Sequence, residues 1–244
     1  GGRSPHRLVR PVLDPDELRS GLGFRRLDTV LLTHGHLDHI LGLGGIASTF
    51  ERWEAAERLS IHAGSWALQR VRDLMDVVLR GENHGFKIDY LALEPGPVLS
   101  TGDLDVVAFP VKHRGSGNFG FVFQERSRRP FLSERAEALG VPQGPVRRDL
   151  VAGKTVTLPD GRTLHPDQVL GDLVPGTKVV VIGDVARVDE LVGICHGADL
   201  LVCESTYLWT DRATARQYGH LTARQAGELA RDAQVGRLIL NHVS

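Results

Sequence analysis

Short apolar runs bounded by Gly, Pro or Asp alternate along this chain with longer stretches in which apolar residues recur every three or four positions. The first pattern predicts buried strands and the second helices, so the chain reads as a layered α/β fold, neither all-helical nor all-β. Residues 27–33 (LDTVLLT) open the series as a buried strand. A helix is expected over 39–52, and a second over 65–80 carries Leu68, Val71, Leu74, Met75 and Val78 on one stripe. Strands follow at 105–111 and 120–124, where β-branched and aromatic residues sit between Gly and Pro. Further along, strands are expected at 178–182, 199–203 and 237–241, with helices at 187–196 and 222–233 between them.

Residues 126–176 interrupt this alternation. They contain RSRRP, a short helical piece at 133–139, VPQGPVRRDLVAG, a strand-like piece at 155–158 and the turn signal Pro159-Asp160-Gly161. Such a segment reads as an inserted arm that folds back on itself rather than as a linker. Between Gln124 and Lys154 it sets seven basic residues (Arg126, Arg128, Arg129, Arg135, Arg147, Arg148 and Lys154) against four acidic ones (Glu125, Glu134, Glu137 and Asp149). A second local excess lies in residues 1–26, where six Arg face Asp14, Asp16 and Glu17.

Charge counts sharpen the point, because 29 Lys+Arg against 30 Asp+Glu leave a net −1. The chain as a whole exerts no pull on a polyanion, so any attraction to nucleic acid must be local. With 41% hydrophobic and 24% charged residues it has the make-up of a globular chain able to bury a sizeable core. No apolar run approaches the roughly 20 residues of a membrane span, and no hydrophobic segment follows the N-terminal charges, so a cytoplasmic location without membrane contact is expected. Cys195 and Cys203 fall at a predicted helix end and in a predicted buried strand. They read as core residues of a reducing compartment, not as a disulfide.

The chemistry concentrates in Thr33-His34-Gly35-His36-Leu37-Asp38-His39, which puts four metal-ligand types where a strand gives way to a helix. On an extended segment His34 and His36 point to one side, while Asp38 and His39, at the turn into the helix, can face a second ion. Two metals a few ångströms apart clamp the attacking and the leaving oxygen of a hydrolysis. More ligands are needed, and His113, Asp184 and His242 each follow a predicted strand: VVAFPVKH, VVVIGD and LILNH. Sites in α/β layers form at such strand ends, although any one of the three alone would read as a turn residue. A carboxylate offers an oxygen to each of two ions, which makes Asp184 the natural bridge. His220 stands just ahead of a predicted helix N-cap, a placement that by itself needs no chemistry.

THGHLDHILGL resembles the signature of the metallo-β-lactamase superfamily. VKHRGSGNFGFVF, the arm with GVPQGPVRRDLVAGKTVTLPDGRTLHPDQV, VVVIGD, ADLLVCEST, GHLTARQAGELA and LILNHVS are similar to its ribonuclease Z branch, the tRNA 3′-processing endonucleases, over residues 27–244. H-x-H-x-D-H points to the superfamily alone; the arm with CEST and GHLTA points to the branch. The resemblance implies a single domain over 1–244, a four-layered αβ/βα sandwich with metals at the edge between its sheets. It implies one zinc on His34, His36 and His113, another on Asp38, His39 and His242, and Asp184 bridging together with a water or hydroxide; Mn2+ or Fe2+ would suit the same donors. Asp38 would orient or deprotonate the water, and His220, oriented by Glu204, would protonate the leaving oxygen and so leave a 3′-hydroxyl. The arm would be an exosite for precursor tRNA through Arg126, Arg128, Arg129, Arg147, Arg148 and Lys154, in a homodimer.

The family's opening strands and the tail beyond His242 are not recognisable, and Val185 and Leu221 stand where Thr and Ser are commoner. Two rival readings remain in view. One is a hydrolase of small phosphodiesters, cyclic nucleotides or aryl sulfates using the same metals, for which a basic arm has no use. The other is a nucleic-acid-binding fragment without catalysis, against which the complete ligand set argues.

Overall fold

The computed structural model describes residues 8–9, 27–53, 57–79 and 87–244. It falls into two units, one of Gly1–Gln124 with Lys178–Ser244 and one of Glu125–Thr177. The basic stretch 1–26 lies outside the described residues, apart from the backbone of Leu8–Val9.

In the first unit, β1 (Leu8–Val9), β2 (Thr29–Leu31), β3 (Arg58–Ala63) and β4 (Lys87–Ala92) form a parallel sheet in that order. Parallel neighbours need crossovers. Between β2 and β3 the crossover contains α1 (Leu37–Ile40) and α2 (Gly42–Trp53), and between β3 and β4 it contains α3 (Ser65–Val78). Side-chain alternation then sorts the core: Val30 and Leu32 meet Ile46, Phe50, Val71 and Met75 under the helices, while Leu31 points the other way. The single helix expected over 39–52 is two, because the Leu41 N–H closes α1 on Leu37 and the glycines that follow are poor helix formers.

The second sheet contains β5 (Gly96–Ser100), β6 (Leu104–Pro110), β7 (Phe119–Glu125), β10 (Lys178–Ile182), β11 (Leu200–Glu204) and β12 (Leu238–Asn241). Its order is β12-β11-β10-β7-β6-β5, with β10, β11 and β12 parallel and β7 antiparallel to β10. Leu31, Leu93, Val106, Ala108, Phe119 and Phe121 fill the space between the sheets. The outer face buries Val180, Ile182, Leu201 and Cys203 against Cys195 of α6 (Val192–Cys195) and Ala226 and Leu229 of α8 (Ala223–Asp232). The unit is thus helix, sheet, sheet, helix. Both cysteines are free and buried, and burial pushes their thiols above the usual range. The helix expected over 187–196 shrinks to α6, since the Leu191 N–H bonds Val188 O in a tight turn that reproduces the same apolar spacing. Between β11 and α8 lies α7 (Arg212–Tyr218).

The second unit has its own core of Ala136, Val141, Leu150, Leu158, Leu164 and Val169. These come from α4 (Ser133–Ala138), α5 (Pro145–Val151) and a hairpin of β8 (Val156–Thr157) and β9 (Thr163–Leu164). Pro145 opens α5, where its missing N–H costs nothing. Gly161 turns the hairpin at φ +84°, a left-handed conformation that favours glycine. No helix among the described residues is long and apolar enough to cross a membrane.

Candidate metal centre

His34 and His36 follow the end of β2, His36 in extended backbone, and α1 starts at the next residue. Gly35 is required between them, because a Cβ there would lie 2.7 Å from the Ala67 Cα. Thr33 Oγ1 sits 3.1 Å from His34 Nδ1, which turns His34 Nε2 inward to 3.1 Å from His36 Nδ1. His113 follows β6; its Nδ1 faces the Gly219 carbonyl at 2.8 Å and its Nε2 lies 3.3 Å from His36 Nδ1. Asp184 follows β10, and its Oδ2 is 3.4 Å from His34 Nε2, 3.6 Å from His113 Nε2 and 3.4 Å from His39 Nε2. Its other oxygen is 3.6 Å from the Nε2 of His242, which follows β12. Asp38 Oδ2 completes the group at 3.2 Å from His39 Nε2 and 3.4 Å from His242 Nε2.

Two lobes result, His34, His36, His113 and Asp184 in one and Asp38, His39 and His242 in the other, each with its donor atoms within 4.8 Å of one another. Asp184 touches both. The separations match a cation's needs, since donors on a tetrahedral ion with bonds of about 2.05 Å stand about 3.3 Å apart. Buried polar atoms are nearly always paired, yet His39 Nε2 and Asp184 Oδ1 have no hydrogen-bond partner. Lone pairs converging on a shared point, unpaired, fit a metal.

Electrostatics agree. Burial, and then the neighbouring His34 and His113, pull the His36 pKa down to about 4, so its ring is a neutral donor at ordinary pH. Burial opposes the charge of Asp184, but His34 and His39 outweigh it and hold the carboxyl well below the usual range. Conversely, burial works against a protonated His39, and the Asp184 carboxylate more than offsets this. A cation would take the place of that proton.

Beside the cluster, His220 stands between α7 and α8. Its Nδ1 lies 2.9 Å from Glu204 Oε1, and that hydrogen bond raises its pKa against the effect of burial. Glu204, wholly buried at the end of β11, also accepts the Val185 N–H (2.9 Å), the Thr206 N–H (3.2 Å) and the Thr206 hydroxyl (2.6 Å). Thr206 Oγ1 is also 2.9 Å from His242 Nδ1, so one hydroxyl links the two histidines' supports. Val185, read as a departure beside Asp184, is buried in the core, and what it brings to the site is its backbone N–H. His242 itself sits at φ +55°, a left-handed conformation uncommon outside glycine and one more frequent at functional positions.

Sequence reasoning missed Thr33, Thr206 and the Gly219 carbonyl, which orient His34, His242 and His113. Thr206 was within reach as the last residue of CEST; a backbone carbonyl carries no sequence signal. In the second unit, Arg129 bonds the Gly171 and Leu170 carbonyls and Asp167, and Arg147 bonds the Val141 carbonyl and stacks on Phe131. Lys154 pairs with Asp149 at 3.1 Å. Arg126, Arg128, Arg135 and Arg148 are exposed, and the last three have no carboxylate partner among the described residues.

Two stacked sheets cased in helices, with a His/Asp cluster where their strand ends meet, define a metal-site hydrolase of the beta-lactamase superfamily. The model of that superfamily's domain matches residues 6–133 and 149–243, and the chain belongs to it. It is 45% identical over 227 residues to ribonuclease Z of Bradyrhizobium sp. (strain ORS 278), which covers 93% of this chain and 75% of that one. It is 32% identical over 247 residues to ribonuclease BN of Escherichia coli (strain SE11), covering 100% of this chain and 76% of the relative. Within the superfamily the chain is therefore a member of the ribonuclease Z family. Among solved structures, the short form of human tRNase Z shares its fold at a TM-score of 0.63 and 20% identity, over 93% of this chain and 76% of that one.

Proposed function

We propose that this chain is a zinc-dependent endoribonuclease that removes 3′ trailers from precursor tRNA in the cytoplasm and leaves a 3′-hydroxyl on the tRNA. The observation that carries the reading is the two-lobed His/Asp cluster with the His220–Glu204 pair beside it, in a chain 45% identical to a ribonuclease Z.

His34, His36 and His113 would hold one ion and Asp38, His39 and His242 the other, with Asp184 within reach of both; imidazole and carboxylate donors suit zinc and also accept manganese or iron. Ions bound there supply Lewis acidity, which neutralises charge gathering on the phosphate and makes water more acidic. The chain's own groups manage the protons. Asp38, the exposed carboxylate of the cluster, takes the proton of the attacking water as its oxygen bonds to phosphorus. The bond to the 3′-oxygen of the discriminator nucleotide breaks. His220, its Nδ1–H donated to Glu204, presents Nε2 to that oxygen and gives it a proton. The tRNA departs with a 3′-hydroxyl and the trailer keeps the phosphate.

A net charge of −1 leaves RNA binding to local cations. The exposed Arg126, Arg128, Arg135 and Arg148 of the second unit suit that task, while Arg129, Arg147 and Lys154 already have partners within it. In this reading the chain works as a homodimer.

The test is cleavage of a 3′-extended precursor tRNA by the purified chain, with bis(p-nitrophenyl) phosphate as the small control. A single cut beside the discriminator is expected, lost with Asp184→Ala and slowed about 10²–10⁴-fold with His220→Ala. Hydrolysis of the small ester with the tRNA left intact would move the function to a small-substrate hydrolase.

A further inference from the structure

A cleft of about 930 Å³ opens beside His220, lined by Arg187, Trp209, Arg212, Arg216, His220 and Gln225 among others. That volume lies within the range of ligand clefts, roughly 300–1,000 Å³. Its wall is α7 together with the turn that leads into it. Arg212 and Arg216 stand one helical turn apart, both exposed, and neither has a carboxylate partner among the described residues. The nearest acid in sequence, Asp211, accepts the Thr210 hydroxyl instead. Arg187 is paired with Asp189 at 3.0 Å, and Arg224 lies 3.9 Å from Glu228.

Two like charges four residues apart on a helix repel one another, and this helix is too short to compensate by length. Left unneutralised over an open cleft, they are set for an anionic ligand. Trp209, 41% exposed, is the second element: the guanidinium of Arg212 lies 5.3 Å from its ring centre and that of Arg224 lies 4.7 Å from it. Planar cations stacked on an indole make a platform on which a nucleobase can stack, and flanking arginines bind phosphates.

We propose that this cleft holds the acceptor end of the tRNA, the discriminator nucleotide and its 5′ neighbour, with the phosphates on Arg212 and Arg216 and a base on the Trp209 platform. This rests on the reading of function above, and the direction of the strand follows from the chemistry. His220 lines the cleft and gives its proton to the oxygen that leaves, and that oxygen belongs to the nucleotide on the 5′ side of the scissile phosphate. A strand running from His220 into the cleft is therefore the tRNA body and not the trailer.

The experiment compares the full chain with R212A/R216A, R212E/R216E and W209A in direct titrations at several salt concentrations. The ligands are mature tRNA ending at its discriminator and a 5′-phosphorylated trailer oligonucleotide; metal content and thermal midpoint report on folding. For R212A/R216A, affinity for mature tRNA should fall about tenfold and the logarithmic salt slope should shallow by about one to two, with trailer binding unchanged. R212E/R216E should lose more, and W209A should lose about tenfold without altering the salt slope. In precursor cleavage the arginine variants should raise KM and spare kcat. Unchanged affinity for mature tRNA would overturn the proposal, and so would a loss confined to the trailer. A wild-type chain that leaves precursor tRNA uncut would overturn the reading of function itself, whereas one that cuts while the variants bind mature tRNA normally would overturn the cleft alone.

Discussion

Gly183 shows how tightly one position can govern the centre. A Cβ there would lie 2.7 Å from Thr33 Oγ1, the hydroxyl that orients His34, so Gly183→Ala must push the Asp184 loop off the strand end. A loss of metal affinity of about 10–100-fold is expected, read by competition with a chelator. Thr206 acts through hydrogen bonds instead. Thr206→Val keeps the volume but removes the hydroxyl shared by Glu204 and His242, which leaves a buried carboxylate oxygen with one donor fewer. The expected cost is about 1–3 kcal/mol by thermal or denaturant unfolding, with Thr206→Ser recovering most of it. At this scale the site was half legible. Histidines and aspartates announce themselves by type and spacing, and the side chains singled out on that basis do converge. Their orienting partners are hydroxyls and a carbonyl brought in by distant segments, and nothing local in the sequence distinguishes those from any other.

Among the elements, the buried strands β10 and β11 were plain, because burial leaves an apolar run such as VVVI between turn signals. β3 and β4 were not. RLSIHA and KIDYLA place Arg58, Ser60, His62, Lys87 and Asp89 at alternate positions and so lack a continuous run. α7 was invisible for the opposite reason: of RATARQY only Ala215 is buried, so no stripe marks a helix. α8 was the easiest helix to read, since Thr222 and Gln225 form a reciprocal cap, each accepting the other's backbone N–H. That cap sits two residues beyond His220 and fixes the start of α8 at Ala223. Thr222→Ala should therefore cost about 1 kcal/mol of stability and also lower kcat on precursor tRNA, whereas Thr222→Ser should restore both. A change in stability with kcat untouched would separate the cap from the site.

For the molecule as a whole, the strand register on either side of the inserted unit matters most. Gln124 at the end of β7 pairs directly with Lys178 at the start of β10. The two ends of residues 125–177 are thus neighbours across an antiparallel pair, and a two-residue Asn-Gly turn can replace everything between them. The shortened chain should keep its metal and hydrolyse bis(p-nitrophenyl) phosphate, while its affinity for precursor tRNA drops; unchanged tRNA affinity would remove the inserted unit from RNA recognition. The layered α/β class was legible because alternating strands and helices leave a strong pattern. The insertion was legible because it breaks that pattern. The pairing of its two ends was not, since register is settled by contacts between strands more than fifty residues apart.

The same seam carries a consequence for the chain's wholeness. His34, His36, Asp38, His39 and His113 precede the insertion, and Asp184, Glu204, His220 and His242 follow it. Asp38 and His242 meet although 204 positions separate them. A cut within the insertion divides the donors between two pieces, each holding an incomplete set and one bare sheet edge, β7 on the first and β10 on the second. Each edge is the other's template in the intact chain, so the two pieces should re-pair along β7 and β10 when mixed, with metal binding that neither shows alone as the check.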